Sequence, residues 1–577
     1  MSQPNTGVMP SLKSSVLWIV IPFCCGLLLL LGSFYLTIRS STLYIKAEQA
    51  DLFSHGLDEK IEEAGFSLCA SGQNPRFFFR LFLGADQERE ANADSYVLGR
   101  LPILVAVNFW NPVEEISVEQ LSAIIKGELS SWKTLTGHNQ RIRLVCAAEC
   151  EEFLLSTFSL ASLDVEWVAD RRELLDTVSG DPGAIAILPW TSIEPRLKVL
   201  GIKTKKGVAH PFWSEDAEQD YPLTADVRLL PPTTTNVFLQ VFKELQKQRI
   251  NKLLRERFSS DRWLVGEDLS VLAAAGDLLF DRKVARTAKQ KGDLKYPLLE
   301  TAEIFRRADL AFANLECPLS TRGDQINMFR ANPAVAEVLT FAGFDLVSLA
   351  NNHIFDYGLV AFLDTIECLQ ERGIIPLGVG ENIYEARTPR IVRVNGARVA
   401  FLAYTQIGPG FTYTRVPQHW AATIDLPGVA EARADYIRMD VAQAKAEADL
   451  VIVSFHWGNE YVHYPTDYQK AWGRTALAAG ADLVIGHHPH VLQGIEFGDD
   501  AIIAYSLGNF VFDQVTYSRR QSLILQAAFD EYGLHQLRLV PILITEEQPR
   551  LAMGKVKQDI LALVSRVSEN KCEEEKE

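Results

Sequence analysis

The sequence lacks any CxxC pair, and its eight cysteines (Cys24, Cys25, Cys69, Cys146, Cys150, Cys317, Cys368 and Cys572) are scattered over 577 residues. That spacing excludes a disulfide scaffold and argues against a zinc–thiolate centre. An excess of positive charge is also missing: 57 Lys and Arg stand against 73 Asp and Glu, for a net charge of −16. Such a chain has no general attraction to nucleic-acid phosphates, which excludes a nucleic-acid scaffold. There is no repeat of fixed period, no low-complexity linker and only one long uncharged apolar run, so a multi-spanning membrane protein is excluded too. At 47% hydrophobic, 23% charged and 10% aromatic, the composition is that of a globular protein. The length gives room for two to four domains of roughly 100 to 200 residues.

What is present begins with the uncharged stretch 16–38, VLWIVIPFCCGLLLLLGSFYLTI. At about 1.5 Å per residue it reaches across a hydrocarbon core of about 30 Å, and it offers no convincing cleavage site, so one uncleaved membrane-spanning helix is expected. Lys13 precedes the run while Arg39 and Lys46 follow it, so charge counting does not orient it. Beyond it, strand-like runs at 103–109, 142–146 and 184–188 alternate with helix-like segments at 117–126, 151–160 and 171–179. That alternation predicts βαβ units and a largely parallel sheet. A charged helix at 235–258 leads to a second α/β half with short buried strands: VLAAAGD, FDLVSLANNH, ARVAFLAYT, DLVIVSFHWG, ADLVIGHHPH and AIIAYSLGNF. The expected division is a tip and anchor at 1–45, an α/β domain at 46–260, a second α/β domain at 265–550 and a charged tail at 551–577, almost wholly charged from 569 onward.

Each strand of the second half runs straight into polar residues, where open α/β sheets bind ligands. Seven of the eleven histidines fall between positions 353 and 490, and His353, His456, His488 and His490 stand at or just beyond strand ends. A neutral imidazole offers the lone pair a transition metal wants, and in GHHPH the two histidines spaced two apart can point to one side of an extended turn. Asp277 closes VLAAAGD and Glu316 closes LAFANLE. A carboxylate delivered to the end of a buried sheet needs compensation, which a metal ion would supply; helix capping by Asp277 explains it as well. Asn352 offers a hard oxygen beside His353, which could give or take a proton, and Asp356 could orient that histidine.

Six ordered motifs carry a resemblance. They are Gly276-Asp277 with Arg282, Asn314-Leu315-Glu316, Ala350-Asn351-Asn352-His353 with Asp356-Tyr357-Gly358, His456-Trp457-Gly458-Asn459-Glu460-Tyr461, the stretch from Gly486 through His490 to Gly494, and Tyr505-Ser506-Leu507-Gly508-Asn509-Phe510. Over residues 271–544 the chain resembles the capsule synthesis protein CapA family. The resemblance implies a part in producing or exporting poly-γ-glutamate capsule, and a domain similar to calcineurin-like metallophosphoesterases, an αββα sandwich with a metal site. It makes Asp277 and His490 ligands of a first divalent metal (Mn, Zn, Fe or Mg) and Glu316 the bridging carboxylate. Asn352, His456 and His488 would hold a second ion, and His353 would donate a proton to the leaving oxygen. One departure stands out: metallophosphoesterases carry Asp-x-His in the first motif, and here Leu279 occupies the histidine position. The first ion therefore binds weakly, is absent, or is completed by a group such as His487. Arg282 could fork onto a substrate carboxylate or phosphate, or make a surface salt bridge. Glu460 and Asn509 fall on the substrate side of these motifs, and Trp457 and Tyr505 either floor a pocket for an extended substrate or belong to the core.

The first half resembles, more weakly, phosphate-type periplasmic solute-binding proteins, through Ile103-Leu104-Val105-Ala106-Val107-Asn108, the run from Ser117 to Glu128 with Ser131-Trp132, and the run from Pro182 to Pro189. Where such proteins place an anion-binding turn, this chain reads Ala147-Ala148-Glu149-Cys150-Glu151-Glu152, and three carboxylates repel phosphate. The fold is expected without that specificity. The whole reads as a single-pass, extracytoplasmic protein of the cell membrane acting on an anionic polymer or its precursor, with other capsule synthesis membrane proteins as candidate partners and no nucleic acid. The alternatives are a non-catalytic polymer-binding assembly factor and a phosphodiesterase unrelated to capsule.

Overall fold

A computed structural model of the protein describes residues 43–47, 60–62, 66–68, 79–84, 96–137, 139–160, 165–214, 216–230, 258, 262–266, 268–407, 420–498 and 501–568. The segment 16–38, where a membrane span was expected, lies outside them. No helix among the described residues is long and apolar enough to cross a membrane. The expected fold class is corrected accordingly to mixed α/β without a spanning helix among the described residues. The physical reason is length and patterning: Gly554–Ser568 has 15 residues with Lys, Asp and Arg along it, where a span needs about 20 mostly apolar ones.

The chain divides into two compact units. The first comprises Met1–Leu101, Glu152–Ser159 and Thr224–Val265. In it Leu43–Ala47 pairs in parallel with Phe66–Leu68 and Phe79–Gly84, and Phe79–Gly84 pairs antiparallel with Thr224–Leu230.

The second unit comprises Pro102–Glu151, Leu160–Leu223 and Gly266–Glu577. Its larger sheet runs Ile375–Leu377, Leu346–Ser348, Leu310–Leu315, Ser270–Leu278, Gln521–Asp530, Gly533–Thr545 and Gln548–Leu551, with Asn509–Val511 also paired to Ser270–Leu278. The first four of these strands are parallel. A six-stranded sheet runs Arg390–Val394, Ala397–Thr405, Leu450–His456, Leu483–His487, Ile502–Ala504 and Ile495–Phe497, parallel through its four central strands.

The alternation of side chains along one strand shows how these sheets are buried. Val399, Phe401 and Ala403 join a core shared with Leu272, Ala274 and Phe312 of the larger sheet, and Phe312 and Phe401 meet with ring centres 6.3 Å apart. Ala400, Leu402 and Tyr404 face the other way, against Ile437, Val441 and Ala444 of the helix Ala434–Glu447 and Ala476 of Asp467–Ala478. A strand covered on both faces needs apolar residues at every position, which is why the sequence reads as continuous apolar runs. Residues 103–108 pair antiparallel with Ala184–Pro189 and Leu197–Val199. This part is tied to the larger sheet through Gln536, whose Oε1 accepts from Val199 N at 2.7 Å and whose Nε2 donates to Leu197 O at 2.7 Å. Residues 554–568, grouped with the charged tail in the sequence, form a helix because Ile560, Val564 and Val567 repeat at helical spacing and are buried.

Glycine decides one approach that positions the site. A Cβ on Gly486 would lie 1.9 Å from Tyr505 O and 2.5 Å from Trp457 Nε1, so only glycine lets the strand Leu483–His487 lie this close to residue 505. Gly486→Ala is expected to lower stability by about 1–3 kcal/mol through overpacking. Gly180→Ala, at a helix end with no atom within 4 Å, is expected to leave it unchanged or slightly raised. Denaturant unfolding of both variants checks the contrast.

Candidate metal centre

The parallel strands deliver the site from their carboxyl ends. Asp277 lies in Ser270–Leu278, Asn314 in Leu310–Leu315 with Glu316 directly after it, and His456 and His487 end their strands. Asn351, Asn352 and His353 follow Leu346–Ser348, and His488 and His490 follow Leu483–His487. Asp277 and Glu316 are both fully buried.

Asp277 is held on several sides. Its Oδ1 accepts from Asn314 Nδ2 at 2.9 Å and its Oδ2 from the His488 backbone N–H at 3.2 Å. His487 Nδ1 approaches Oδ1 to 3.4 Å and His490 Nδ1 approaches Oδ2 to 3.5 Å. Burial pushes this carboxyl up, but the contacts with His487 and His490 outweigh it and hold it well below the usual carboxylate range. Glu316 is the opposite case: neither carboxylate oxygen has a hydrogen bond. Its nearest cationic candidates are His456 Nε2 at 3.6 Å and His490 Nε2 at 3.7 Å from Oε1. Burial pushes its pKa well up; the charge of His490 opposes this and that of Asp277 adds to it.

The histidines divide likewise. Burial, reinforced by neighbouring His488, holds His456 well below its ordinary value, and burial together with His490 brings His488 down to about 3. His490 goes up to about 9, because Glu316 and Asp277 overcome the effect of its burial. Its Nδ1 lies 2.9 Å from Asn509 Oδ1.

These atoms form three groups whose donors lie within 4.8 Å of one another: Asp277, Glu316 and His490; Glu316, His456 and His488; and Glu460, His488 and His490. Glu316 belongs to the first two. The residues fit a divalent ion: the unbonded Glu316 oxygens and the unbonded His488 Nδ1 are buried donors without a partner, and a mixed imidazole–carboxylate set suits Zn, Mn or Fe. Asn352 Oδ1 lies 2.8 Å from His456 Nε2, beside the second group. Leu279 is buried in the apolar core, and neither nitrogen of the nearby His487 has a hydrogen bond.

Around this centre, His353 Nδ1 lies 2.9 Å from Asp356 Oδ2, which also accepts from Met328 N at 3.2 Å and Phe329 N at 2.9 Å. Arg282 pairs with Asp513 and lies over the Phe329 and Phe512 rings. Other expected site residues stand differently. Asn509 is fully buried and spends its amide on His490 O and Arg519 O, so it positions His490. Trp457 is fully buried against Phe455, its indole N–H donating to Tyr505 O at 3.0 Å, and the Tyr505 hydroxyl donates to Glu496. Both belong to the apolar cluster under the helices and offer no face to a substrate.

Sequence reasoning gave no role to Asn314, which links Asp277, Asn351 and His456. The signal was available: an amide two residues before Glu316, on the same side of an otherwise apolar strand. Strain also gathers here. Of the eight non-glycine residues with positive φ among the described residues, four are Arg282 (50°), Tyr461 (66°), His488 (94°) and His490 (57°), a concentration typical of functional sites.

Residues 271–514 match the family model described as Bacterial capsule synthesis protein PGA_cap. The chain is 33% identical over 303 residues to the PGA biosynthesis protein CapA of Bacillus subtilis (strain 168), covering 51% of this chain and 76% of that protein. It is 32% identical over 290 residues to the Capsule biosynthesis protein CapA of Bacillus anthracis, covering 48% and 68%. Among solved structures, an ABC-type phosphate transport receptor from Vibrio cholerae aligns over 37% of this chain and 98% of its own at 17% identity and a TM-score of 0.26, too low to support an inference about fold or ligand. The matched stretch contains the whole histidine–carboxylate cluster, and by this match and these identities the chain belongs to the bacterial capsule synthesis protein family, PGA_cap.

Proposed function

We propose that this protein acts outside the cytoplasm in making or exporting capsular poly-γ-glutamate, by metal-assisted hydrolysis or transfer on the polymer or its precursor. The observation that carries this reading is the pair of fully buried carboxylates, Asp277 and Glu316, ringed by His456, His488 and His490. A divalent ion bound there supplies Lewis-acid polarisation and neutralises developing charge. Asp277, Glu316 and His490 would hold one ion; Glu316, His456 and His488, with Asn352 beside them, would hold a second. His353 donates a proton from Nε2 to the leaving group, with Asp356 fixing its orientation through Nδ1. Phe329 packs 4.3 Å from the His353 ring and Phe512 5.0 Å from the His490 ring. Family kinship with the two CapA proteins supports the polymer as substrate, and capsule synthesis proteins of the membrane are the partners that follow from it. Leu279 favours a second reading, in which the cluster holds polymer without turning it over.

The purified chain, reconstituted with Mn, Zn, Fe or Mg, is expected to hold one or two ions. A His488→Ala/His490→Ala variant is expected to lose them while its circular dichroism is unchanged; a wild-type chain that binds no metal overturns the ligand set. With metal retained, His353→Gln is expected to lower turnover of γ-glutamyl polymer or of phosphoesters by about 10²–10⁴-fold. Equal turnover removes the proton-donor role, and wild-type protein that binds polymer with no turnover on any of these substrates favours the second reading.

A further inference from the structure

The mouth of the cluster carries arginines that the metal-centred reading does not use. In this chain of net charge −16, many described arginines are neutralised by a carboxylate, as in Arg322 with Asp364, Arg387 with Asp440 and Arg398 with Asp449. Arg330 and Arg519 have no carboxylate at ion-pair distance among the described residues. Each is instead laid on an aromatic ring: Arg330 Cζ lies 4.1 Å from the centre of Tyr357, and Arg519 Cζ lies 3.4 Å from that of Tyr461. Arg282 lies between Phe329 at 4.7 Å and Phe512 at 5.7 Å; it has one carboxylate partner, Asp513, and a buried Nε without a hydrogen bond.

The rings connect these cations to the chemistry. Phe329 touches His353, and Phe512 and Tyr461 flank His490 at 5.0 and 6.0 Å. Arg330 directly follows Phe329, whose backbone N–H is held by Asp356, the partner of His353. The Arg519 carbonyl accepts from Asn509, the residue that holds His490. Two of the residues involved, Arg282 and Tyr461, keep left-handed backbone, with φ of 50° and 66°.

We propose that Arg282, Arg330 and Arg519 form a carboxylate-binding rim that grips the free carboxylates of the anionic polymer on either side of the bond presented to the metal cluster; this rests on the reading of the site as one that acts on poly-γ-glutamate. A guanidinium stacked on a ring is held flat; Arg519 gives Nη1 to Gln514 at 3.1 Å and Arg282 gives Nη2 to Asp513, and each of the three keeps further N–H groups for a ligand carboxylate. Three such groups on three separate chain segments suit a ligand with several regularly placed anions, not one small anion. A γ-linked glutamate chain is such a ligand, since every residue keeps a free α-carboxylate while the γ-carboxyl is spent in the amide link.

The test is binding of purified poly-γ-glutamate to the metal-loaded full chain at low and at moderate salt. Wild type is compared with Arg330→Gln/Arg519→Gln, Arg519→Gln alone and Arg322→Gln, whose partner Asp364 lies outside the rim. Removing one charge-assisted pair is expected to weaken binding about ten-fold, and the double variant more, with a flatter salt dependence, unchanged metal content and no effect of Arg322→Gln. If the double variant loses thermal stability, Arg519→Gln alone carries the comparison. Wild-type affinity and salt dependence in the rim variants overturn the rim while leaving the polymer reading intact. Wild-type protein that does not bind the polymer overturns both, and tighter binding of inorganic polyphosphate of matched charge overturns the carboxylate assignment.

Discussion

Asp277 and Glu316 end neighbouring parallel strands, both fully buried, and a buried charge without compensation costs several kcal/mol or loses its ionisation. The protein hydrogen-bonds only one of them. Asp277 receives an amide from Asn314, a backbone N–H from His488 and the approach of two imidazoles, whereas the oxygens of Glu316 receive no hydrogen bond. The imbalance is readable in the titration of the cluster: Asp277 is held down, Glu316 is pushed up, and His490 is drawn up between them. A divalent cation would satisfy both carboxylates and would require neutral imidazoles, the state that burial favours for His456 and His488.

That requirement explains the backbone around it. To aim two side chains from one short turn at the same carboxylates, His488 and His490 both adopt left-handed φ, at 94° and 57°. Non-glycine residues do not settle there unless their surroundings over-determine them. Here the surroundings are specific: the His488 N–H is pinned on Asp277, and Asn509 grips His490 by both its ring and its carbonyl. Gln493 then ties the turn outward, accepting from Gln469 at 2.8 Å and donating to Val462 O at 2.8 Å. Gln469 is also the capping-box residue of the helix Asp467–Ala478, so the helix start and the metal turn are fixed by one side chain.

Much of this was legible because the relevant patterns are local. Apolar runs ending in Asp, Glu, Asn or His identify both the strands and their functional ends, and the histidine cluster follows from that register. Three kinds of feature were not legible. Trp457 and Tyr505 adjoin site residues in sequence but point to the opposite face of their sheet, because adjacent strand positions alternate sides. Asn509 stands in a motif that suggests a substrate contact, yet its amide is exhausted on His490 and Arg519, which only the register between distant segments reveals. Arg330 and Arg519 stack on rings of other chain segments, Tyr357 and Tyr461, and neither lies in a long periodic element, so no spacing rule reaches them. The link through Gln536 to Leu197 and Val199 joins segments more than 300 residues apart and is invisible for the same reason.

The charge of the chain sets a last constraint on recognition. A protein of net charge −16 repels a polyanion at long range, so electrostatic steering cannot gather such a polymer at the site. At physiological salt that repulsion is screened beyond about 8 Å, while contact pairs are screened much less. Recognition must therefore come from short-range cations whose own neutralisation has been withheld. Among the described residues Arg330 and Arg519 meet that condition, being supported by rings where many other arginines have a carboxylate. Arg519 stands one ring, Tyr461, away from His490, and Arg330 directly follows Phe329, which packs on His353; on the proposed reading this placement would let an acidic protein hold an acidic polymer over a cation-binding centre without surrendering the negative charge that the cations themselves require.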